Sequence, residues 1–214
     1  KYQLTQLEKL GKSKNINIYC ACNMRFHPII TFLKKYLRDN YSKINEVNIY
    51  CGSYLPDWRE GVNYRKNYSA IKSLGGGVAF DLIHEIDYLV HLLGFPSECK
   101  KFHSKVSNLE IDSNDFSHYF LKYNSFFAMV TLNYFRRDKK RSIEIVREDG
   151  TIRADFETQK IINLTSNKLL FELNYNGMDK SYELQMEYVF ESVNKNQFNI
   201  NGLNEAVEIM KIIL

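Results

Sequence analysis

The sequence lacks several features that would assign it to a class at once. No apolar run approaches the ~18 residues of a membrane-spanning helix, and Lys1–Lys14 contains no apolar signal core. No G-x-G-x-x-G turn follows a strand, so the fingerprint of a dinucleotide-binding unit is absent from these residues. The few cysteines show no metal-ligand spacing and are expected to be reduced thiols: Cys20, Cys22, Cys51 and Cys99. We therefore expect a cytoplasmic protein with no membrane partner and no metal.

The composition is that of an ordinary globular protein. Hydrophobic residues make up 44% and charged residues 25% of the chain, which excludes disorder throughout. The net charge of +4 is spread along the sequence. The one basic block, Arg136–Arg141, lies between two predicted strands and is interpreted as a solvated turn. The sequence therefore predicts no nucleic-acid partner.

The first third of the chain alternates helical and strand patterns. Apolar spacing predicts a helix over Tyr2–Leu10 that Gly11 caps, and a strand over Asn15–Cys22. A second helix is predicted over Pro28–Tyr41, and a second strand over Ile44–Tyr54. Together these elements predict one β-α-β unit. The segment that follows, up to Leu74, has little periodicity and holds the only tryptophan, which is typical of a functional loop.

The rest of the chain is rich in strands. A helix is predicted over Val78–Leu93, and Gly94 ends it. Turn residues then separate strands that suggest an antiparallel meander: Glu98–Val106, Phe116–Tyr123, Phe126–Phe135, Ser142–Arg147, Thr151–Phe156, Lys160–Leu164 and Lys168–Leu173. Two closing helices are predicted over Met178–Asn194 and Leu203–Leu214. We expect a single α+β domain over residues 1–214.

The strongest local signal is a glycine run in front of a helix. These glycines allow close backbone approach and are expected to leave amide groups pointing outward: Gly75, Gly76 and Gly77. In the helix, Asp81, His84 and Asp87 are spaced so that they share one face. A histidine near a carboxylate is a common proton carrier, although a tight turn and a packed polar pair give the same pattern. His91 is the nearest further metal ligand, and its apolar neighbours argue against a metal site.

An ordered series of motifs adds to this pattern. It begins with Asn23-Met24-Arg25-Phe26-His27-Pro28 and continues with Trp58-Arg59, the glycine run through Asp87, and Leu93-Gly94. Further on come Arg141-Ser142-Ile143-Glu144-Ile145 and Glu148-Asp149-Gly150-Thr151-Ile152. In order and rough spacing the series resembles the glucose–fructose oxidoreductase/inositol dehydrogenase (Gfo/Idh/MocA) family.

The resemblance implies a fold and an activity. It implies an open, largely antiparallel sheet with helices on one face, like the C-terminal domain of glyceraldehyde-3-phosphate dehydrogenase. The activity implied is an NAD(P)-dependent transfer of hydride to or from a sugar, sugar derivative or cyclitol. NAD or NADP would be bound mainly by a Rossmann domain absent from this sequence, with residues 1–14 as a linker helix, and the family's E-K-P lysine is absent too. We therefore expect no turnover by this domain alone.

The resemblance also implies partners and roles. Apolar residues on both alternations of Tyr119–Tyr134 fit a homodimer or homotetramer formed through the sheet face. The alternative is a non-catalytic sugar-binding or scaffolding domain that keeps the fold. In the enzyme, His84 is the expected proton carrier, and Asp81 either positions it or binds a substrate hydroxyl. Their spacing is three residues, where the family pattern has four.

The remaining site residues surround this pair. Those expected to line the substrate cleft are Arg25, Trp58, Arg59 and Tyr68, where arginine and tyrosine donors meet hydroxyl groups and the indole meets an apolar sugar face. Trp58 is equally well explained as an anchor of its loop against the sheet. Asp87 is expected to pair within the domain, and the three glycines to shape the backbone beside the site.

Overall fold

The structure is a computed structural model that describes residues 2–14, 16, 18–195 and 202–214. Its helices are α1 Tyr2–Lys14, α2 Pro28–Asp39, α3 Val78–Asp81, α4 His84–Leu93, α5 Gly177–Asn194 and α6 Leu203–Ile213. Its strands are β1 Ile44–Tyr54, β2 Glu98–Ser104, β3 Phe116–Lys122, β4 Phe127–Asn133, β5 Phe135–Arg147, β6 Gly150–Asp155, β7 Lys160–Asn163 and β8 Lys168–Glu172. Five short 3₁₀ turns lie at Asn23–Phe26, Leu55–Asp57, Tyr64–Lys66, Tyr68–Ala70 and Lys72–Leu74.

The strands form one open sheet in the order β2-β3-β4-β1-β5-β6-β7-β8. Strand β1 runs parallel to β4 and antiparallel to β5, and the other neighbours are antiparallel. The predicted fold class is therefore confirmed: an α+β domain with a largely antiparallel open sheet and helices packed on one face. The predicted meander is interrupted in its middle, because β1 inserts between β4 and β5.

The sheet buries the face that carries the helices. Along β1, Val47, Ile49 and Cys51 are buried, whereas the intervening residues are partly exposed. The largest fully buried side chains include Tyr88, Tyr119 and Tyr134. Within the described ranges, no helix combines the length and the apolarity needed to cross a membrane.

The predicted strand over Asn15–Cys22 is wrong. Asn15 and Asn17 lie outside the described residues, and the described part forms only an isolated bridge between Tyr19 and Gly202. The predicted cap at Gly11 is also wrong, since α1 continues to Lys14. Gly11 is buried, and a Cβ atom there would lie 3.0 Å from Ile18 Cδ1, so the following chain packs back on the helix. Without the strand there is no β-α-β unit.

The long helix predicted over Val78–Leu93 is broken in two. Leu82 and Ile83 separate α3 from α4, and the backbone at Leu82 departs from helical geometry with φ −106° and ψ 33°. The Ile83 amide donates a hydrogen bond to the Phe80 carbonyl, three residues earlier in the chain. The break places Asp81 at the end of α3 and His84 at the start of α4, so the two do not lie on one continuous helix face.

The basic block is part of a strand, and the predicted solvated turn is wrong. Residues 136–141 lie within β5. Their pairing with β1 is irregular between Phe135 and Lys140. Arg136 and Lys140 lie over the ring of Tyr50 on the open face, and Arg141 pairs with Glu85 on the helical face. These partners on both faces stabilise an extended strand where the charge pattern alone suggested a loop.

Candidate active site

The first turn of α4 presents a histidine with unused hydrogen-bonding capacity. His84 is partly buried, and its Nδ1 is buried with no hydrogen-bond partner among the described residues. Burial lowers the pKa of His84 below its ordinary value; Glu85 and Asp87 oppose this shift, and the charge of Arg141 reinforces it. At neutral pH the imidazole is therefore uncharged and able to accept a proton.

A buried ion pair lies directly beside this histidine. Glu85 is fully buried, and Arg141 Nε donates to its Oε1 at 2.6 Å. The pair ties α4 to β5, so it holds the first turn of α4 against the sheet. The sequence predicted no role for Glu85, although Arg141 begins one of the matched motifs. The available sequence signal for this role was an acidic residue directly after the candidate histidine.

The second candidate catalytic residue, Asp81, is supported by a tyrosine. Tyr134 Oη donates to Asp81 Oδ2 at 2.6 Å, and Tyr134 is fully buried at the bend between β4 and β5. Burial raises the pKa of Tyr134, and the nearby Asp81 raises it further, so the phenol stays protonated as a donor. Among the described residues, no hydrogen bond joins Asp81 to His84.

The only tryptophan contacts the same tyrosine. The Trp58 ring meets that of Tyr134 edge to face, with centroids 5.2 Å apart, and its Nε1 donates to Ser53 Oγ at 2.8 Å. Trp58, Tyr134 and Asp81 thus form a continuous series of contacts. The indole is both anchored to the sheet and exposed in part, so the structure agrees with either sequence interpretation of Trp58.

Arg59 and Tyr68 lie on the surface segment that follows. The Arg59 guanidinium lies 5.6 Å from the centroid of the Tyr68 ring, and both side chains are exposed. The short 3₁₀ turns of residues 64–66 and 68–70 each begin at an asparagine whose side chain accepts an amide hydrogen bond, Asn63 and Asn67. These local bonds give the segment a defined course without regular secondary structure.

The glycine run forms a packed turn. A Cβ atom on Gly76 would lie 2.1 Å from the carbonyl oxygen of Tyr68, which only glycine avoids. The Gly76 amide donates to the Ile71 carbonyl at 3.0 Å, and the Val78 amide donates to the Asn114 carbonyl at 2.9 Å. The expectation of outward-pointing amides is therefore wrong at these positions, because they bond within the domain. The run shapes the entry into α3 and thereby the place of Asp81.

Arg25 and Asp87 are joined in the interior. Arg25 donates to both carboxylate oxygens of Asp87, and its Nη1 also contacts Glu205 at 3.1 Å. Both members of the Arg25–Asp87 pair have side chains 1% exposed. The charge of Arg25 is thus met by carboxylates of its own domain, and the structure does not bring Arg25 to the surface segment of Arg59 and Tyr68. We therefore leave Arg25 out of the proposed substrate-binding set.

Two separate cavities lie on the helical side of the molecule. One of about 400 Å³ is lined by Ser53, Tyr54, Asp57, Trp58, Arg137 and Lys139. A larger one of about 850 Å³ lies at the other end of α4, where His91 contacts Lys34. Neither Asp81 nor His84 lines either cavity. The smaller cavity contains Trp58, which is linked to Asp81 through Tyr134, and the larger one is lined by Arg25. The described residues include no group of three His, Cys, Asp or Glu side chains arranged to hold a metal ion.

Comparison with solved structures shows the same fold in larger proteins. The WlbA dehydrogenase from Bordetella pertussis, solved with NADH and UDP-GlcNAcA, is 15% identical with a TM-score of 0.75, and the match covers 98% of this chain and 64% of that one. Myo-inositol 2-dehydrogenase from Lactobacillus plantarum is 15% identical with a TM-score of 0.76, covering 99% and 65%. A super-repressor mutant of Gal80p from Saccharomyces cerevisiae is 14% identical with a TM-score of 0.79, covering 99% and 65%.

These likenesses establish the fold, and the chain spans less than two thirds of each of these structures. No curated protein matches the sequence. The family model described as the oxidoreductase family, C-terminal alpha/beta domain, matches residues 41–213. The resemblance inferred from the motif series is thereby confirmed. The chain belongs to the Gfo/Idh/MocA oxidoreductase family, of which it forms the C-terminal α/β domain.

Proposed function

We propose that the chain is the substrate-side domain of an NAD(P)-dependent oxidoreductase that acts on a sugar, sugar derivative or cyclitol. The observation that carries the proposal is the uncharged, partly buried His84 with its free Nδ1 at the start of α4. Asp81 and the Trp58 cavity complete the site. The surrounding groups combine a proton acceptor, a carboxylate and an aromatic face, which are the parts that dehydrogenation of a hydroxylated ring needs.

The residues of this chain supply the proton transfer and the binding. NAD or NADP, held mainly by a dinucleotide-binding domain outside this sequence, supplies the hydride acceptor when bound. His84 takes the proton of the substrate hydroxyl through an imidazole nitrogen, and returns it in the reverse direction. Because no partner fixes Nδ1, either tautomer of the ring is available. Asp81, held by Tyr134, accepts a hydrogen bond from a neighbouring substrate hydroxyl.

The test is turnover by the whole enzyme that contains this chain, followed by NAD(P)H absorbance. His84→Gln is expected to lower kcat about 10²- to 10⁴-fold and to leave the affinity for NAD(P) unchanged. His91→Gln, at the other end of the same helix, is the matched control and should keep full activity. Equal turnover of His84→Gln and the wild type would remove His84 from the mechanism.

A second candidate is a non-catalytic sugar-binding or regulatory domain. It is favoured by the similarity to Gal80p, whose solved form is named as a super-repressor. Calorimetric titration separates the two functions. Sugar binding that is unaffected by NAD(P), together with no turnover in the whole protein, would support the second candidate over the enzyme.

The open face of the sheet is the proposed homo-oligomer interface. Phe102, Phe120 and Phe127 lie on that face with exposures of 63%, 39% and 43%, and the rings of Phe120 and Phe127 stack at 5.1 Å. Exposed aromatic clusters of this kind mark interaction surfaces. Sedimentation of Phe120→Lys should show monomer, whereas Phe95→Lys, at an exposed loop position, should behave as the wild type. A wild-type chain that stays monomeric at high concentration would contradict the interface.

The state of the cysteines agrees with the proposed cytoplasmic location. Cys20, Cys22, Cys51 and Cys99 form no disulfide among the described residues. Free thiols persist in the reducing cytoplasm.

A further inference from the structure

Two residues of the basic block on β5 face the candidate site. The pairing of β5 with β1 is irregular between Phe135 and Lys140, so the contacts of these side chains, rather than strand alternation, show where they lie. Arg137 and Lys139 line the 400 Å³ cavity with Trp58, whereas Arg136 and Lys140 lie over Tyr50 on the open face. Two positively charged side chains of the block therefore line the same cavity as the only tryptophan.

The two cations differ in their acidic partners within the described residues. The Arg137 guanidinium lies 4.1 Å from the centroid of the Tyr54 ring and donates to the Tyr54 hydroxyl at 3.0 Å, and no ion pair joins it to a carboxylate in the described part of the chain. Lys139 contacts Glu157 at 3.2 Å, but its side chain is 66% exposed. Asp57 is the one acidic residue in the lining of this cavity. Lys139 therefore already has the acidic partner Glu157, and Arg137 is the cation of this cavity that has no ion-pair partner among the described residues.

The cavity is continuous with the proposed catalytic residues through short contacts. On one side, Trp58 packs on Tyr134, which donates to Asp81. On the other side, Lys139 also lines a smaller cavity of about 210 Å³ together with Arg141. Arg141 in turn pairs with Glu85, the residue that follows His84. The two cations are thus linked to the groups proposed for the chemistry through intermediate residues, Trp58 and Tyr134 on one side and Arg141 and Glu85 on the other.

We propose that the substrate of this enzyme is an anionic sugar, and that Arg137 and Lys139 bind its carboxylate or phosphate group. The proposal rests on the function proposed above. The planar guanidinium offers paired donors that match a carboxylate or phosphate, and the ammonium adds a second charge. Trp58 provides the apolar surface for the sugar ring. A neutral cyclitol would leave Arg137 without an anionic partner.

The experiment is a fluorescence titration, because Trp58 is the only tryptophan and reports directly from the cavity. The chain is titrated with glucose, glucuronate and glucose 6-phosphate. We expect at least one of the two anionic sugars to bind about tenfold or more tightly than glucose, with an affinity that falls as salt rises. A preference for glucuronate or for glucose 6-phosphate identifies the anion as carboxylate or phosphate.

The matched variants use two pairs of cations on one strand, one pair that lines the cavity and one pair that lies over Tyr50. Arg137→Gln/Lys139→Gln should weaken binding of the anionic sugar about tenfold or more, whereas Arg136→Gln/Lys140→Gln makes the same charge change on the open face and should leave it unchanged. Three results would overturn the proposal: equal affinity for glucose and both anionic sugars, an equal loss in both double variants, or no anionic binding at about 10 mM. Because the readout is binding, it is separate from the turnover assay: loss of the anion preference leaves the hydride-transfer function standing.

Discussion

Arg25 and Asp87 form a bidentate ion pair across 62 residues of sequence, from Nε at 2.9 Å and from Nη2 at 2.8 Å. The pair joins the 3₁₀ turn of residues 23–26 to the middle of α4, three residues after His84. Since both side chains are buried, each charge depends on the other for compensation. The position of the helix that carries His84 therefore depends on a residue far away in the sequence.

The first prediction concerns this pair. Asp87→Ala leaves the Arg25 charge buried with only Glu205 beside it, so the free energy of unfolding should fall by about 3–5 kcal/mol in chemical denaturation. Asp39→Ala is the matched control, because Asp39 pairs with Arg38 on the surface, where the two side chains are 42% and 74% exposed. Its unfolding should be unchanged within error. A small effect of Asp87→Ala would show that the pair does not hold α4 in place.

The second prediction concerns the glycine turn. In Gly76→Ala the new Cβ atom meets three carbonyl oxygens, those of Tyr68, Ser69 and Ile71, within 2.8 Å. The backbone must move, at a cost of about 3 kcal/mol in thermal or chemical unfolding. Gly75→Asn is the control, since that position has φ +82° with open space around it and asparagine tolerates this conformation. Equal stability of the two variants would contradict the close packing of the turn.

The third prediction concerns pH. Burial, assisted by the charge of Arg141, lowers the pKa of His27 from 6.5 to about 4. The unfolded chain therefore takes up a proton before the folded one, so stability from neutral His27 is complete above pH 6.5 and is lost as the pH falls towards 4. The full loss amounts to about 3 kcal/mol.

His27→Asn isolates this contribution. Asparagine keeps an acceptor for the Ile29 amide at the start of α2 but does not titrate. The difference in stability between wild type and variant should therefore change by about 3 kcal/mol between neutral and acid pH. A difference that stays constant with pH would show that His27 titrates normally in the folded state.

The fourth prediction concerns the electrostatics of His84. Glu85 raises the pKa of His84 and Arg141 lowers it, so Glu85→Gln should shift the pKa of His84 further downward. The measurement is the pH titration of the His84 ring by NMR. Glu110→Gln, which breaks the exposed ion pair with Arg65, should leave the pKa of His84 unchanged. An upward shift in Glu85→Gln would mean that the ion pair acts on His84 in another way.

Much of the candidate site was predictable because its signals are local. The spacing of the glycines, Asp81 and His84 is a property of one short segment, and the motif series singles it out. No place in the site was predicted for Arg137 and Lys139, because a run of charged residues is typical of a solvated turn. Only the partners on the two faces of β5 show it to be a strand. The ion pair of Arg25 with Asp87 was not predicted for a related reason, since the two residues are 62 positions apart in the sequence.

The sequence by itself determined the closing helices and most strands, whose bounds the structure reproduces to within a few residues; β5 is the exception, since it begins at Phe135 and not at Ser142. Alternating apolar residues and turn residues act over a few positions, and those rules are local. Only the tertiary structure decided that β1 lies between β4 and β5, that the described residues 18–22 form no strand, and that Arg137 and Lys139 line the cavity of Trp58. Each of these features depends on a contact with backbone or side chains that are distant in the sequence. A local residue pattern contains no information about such a partner.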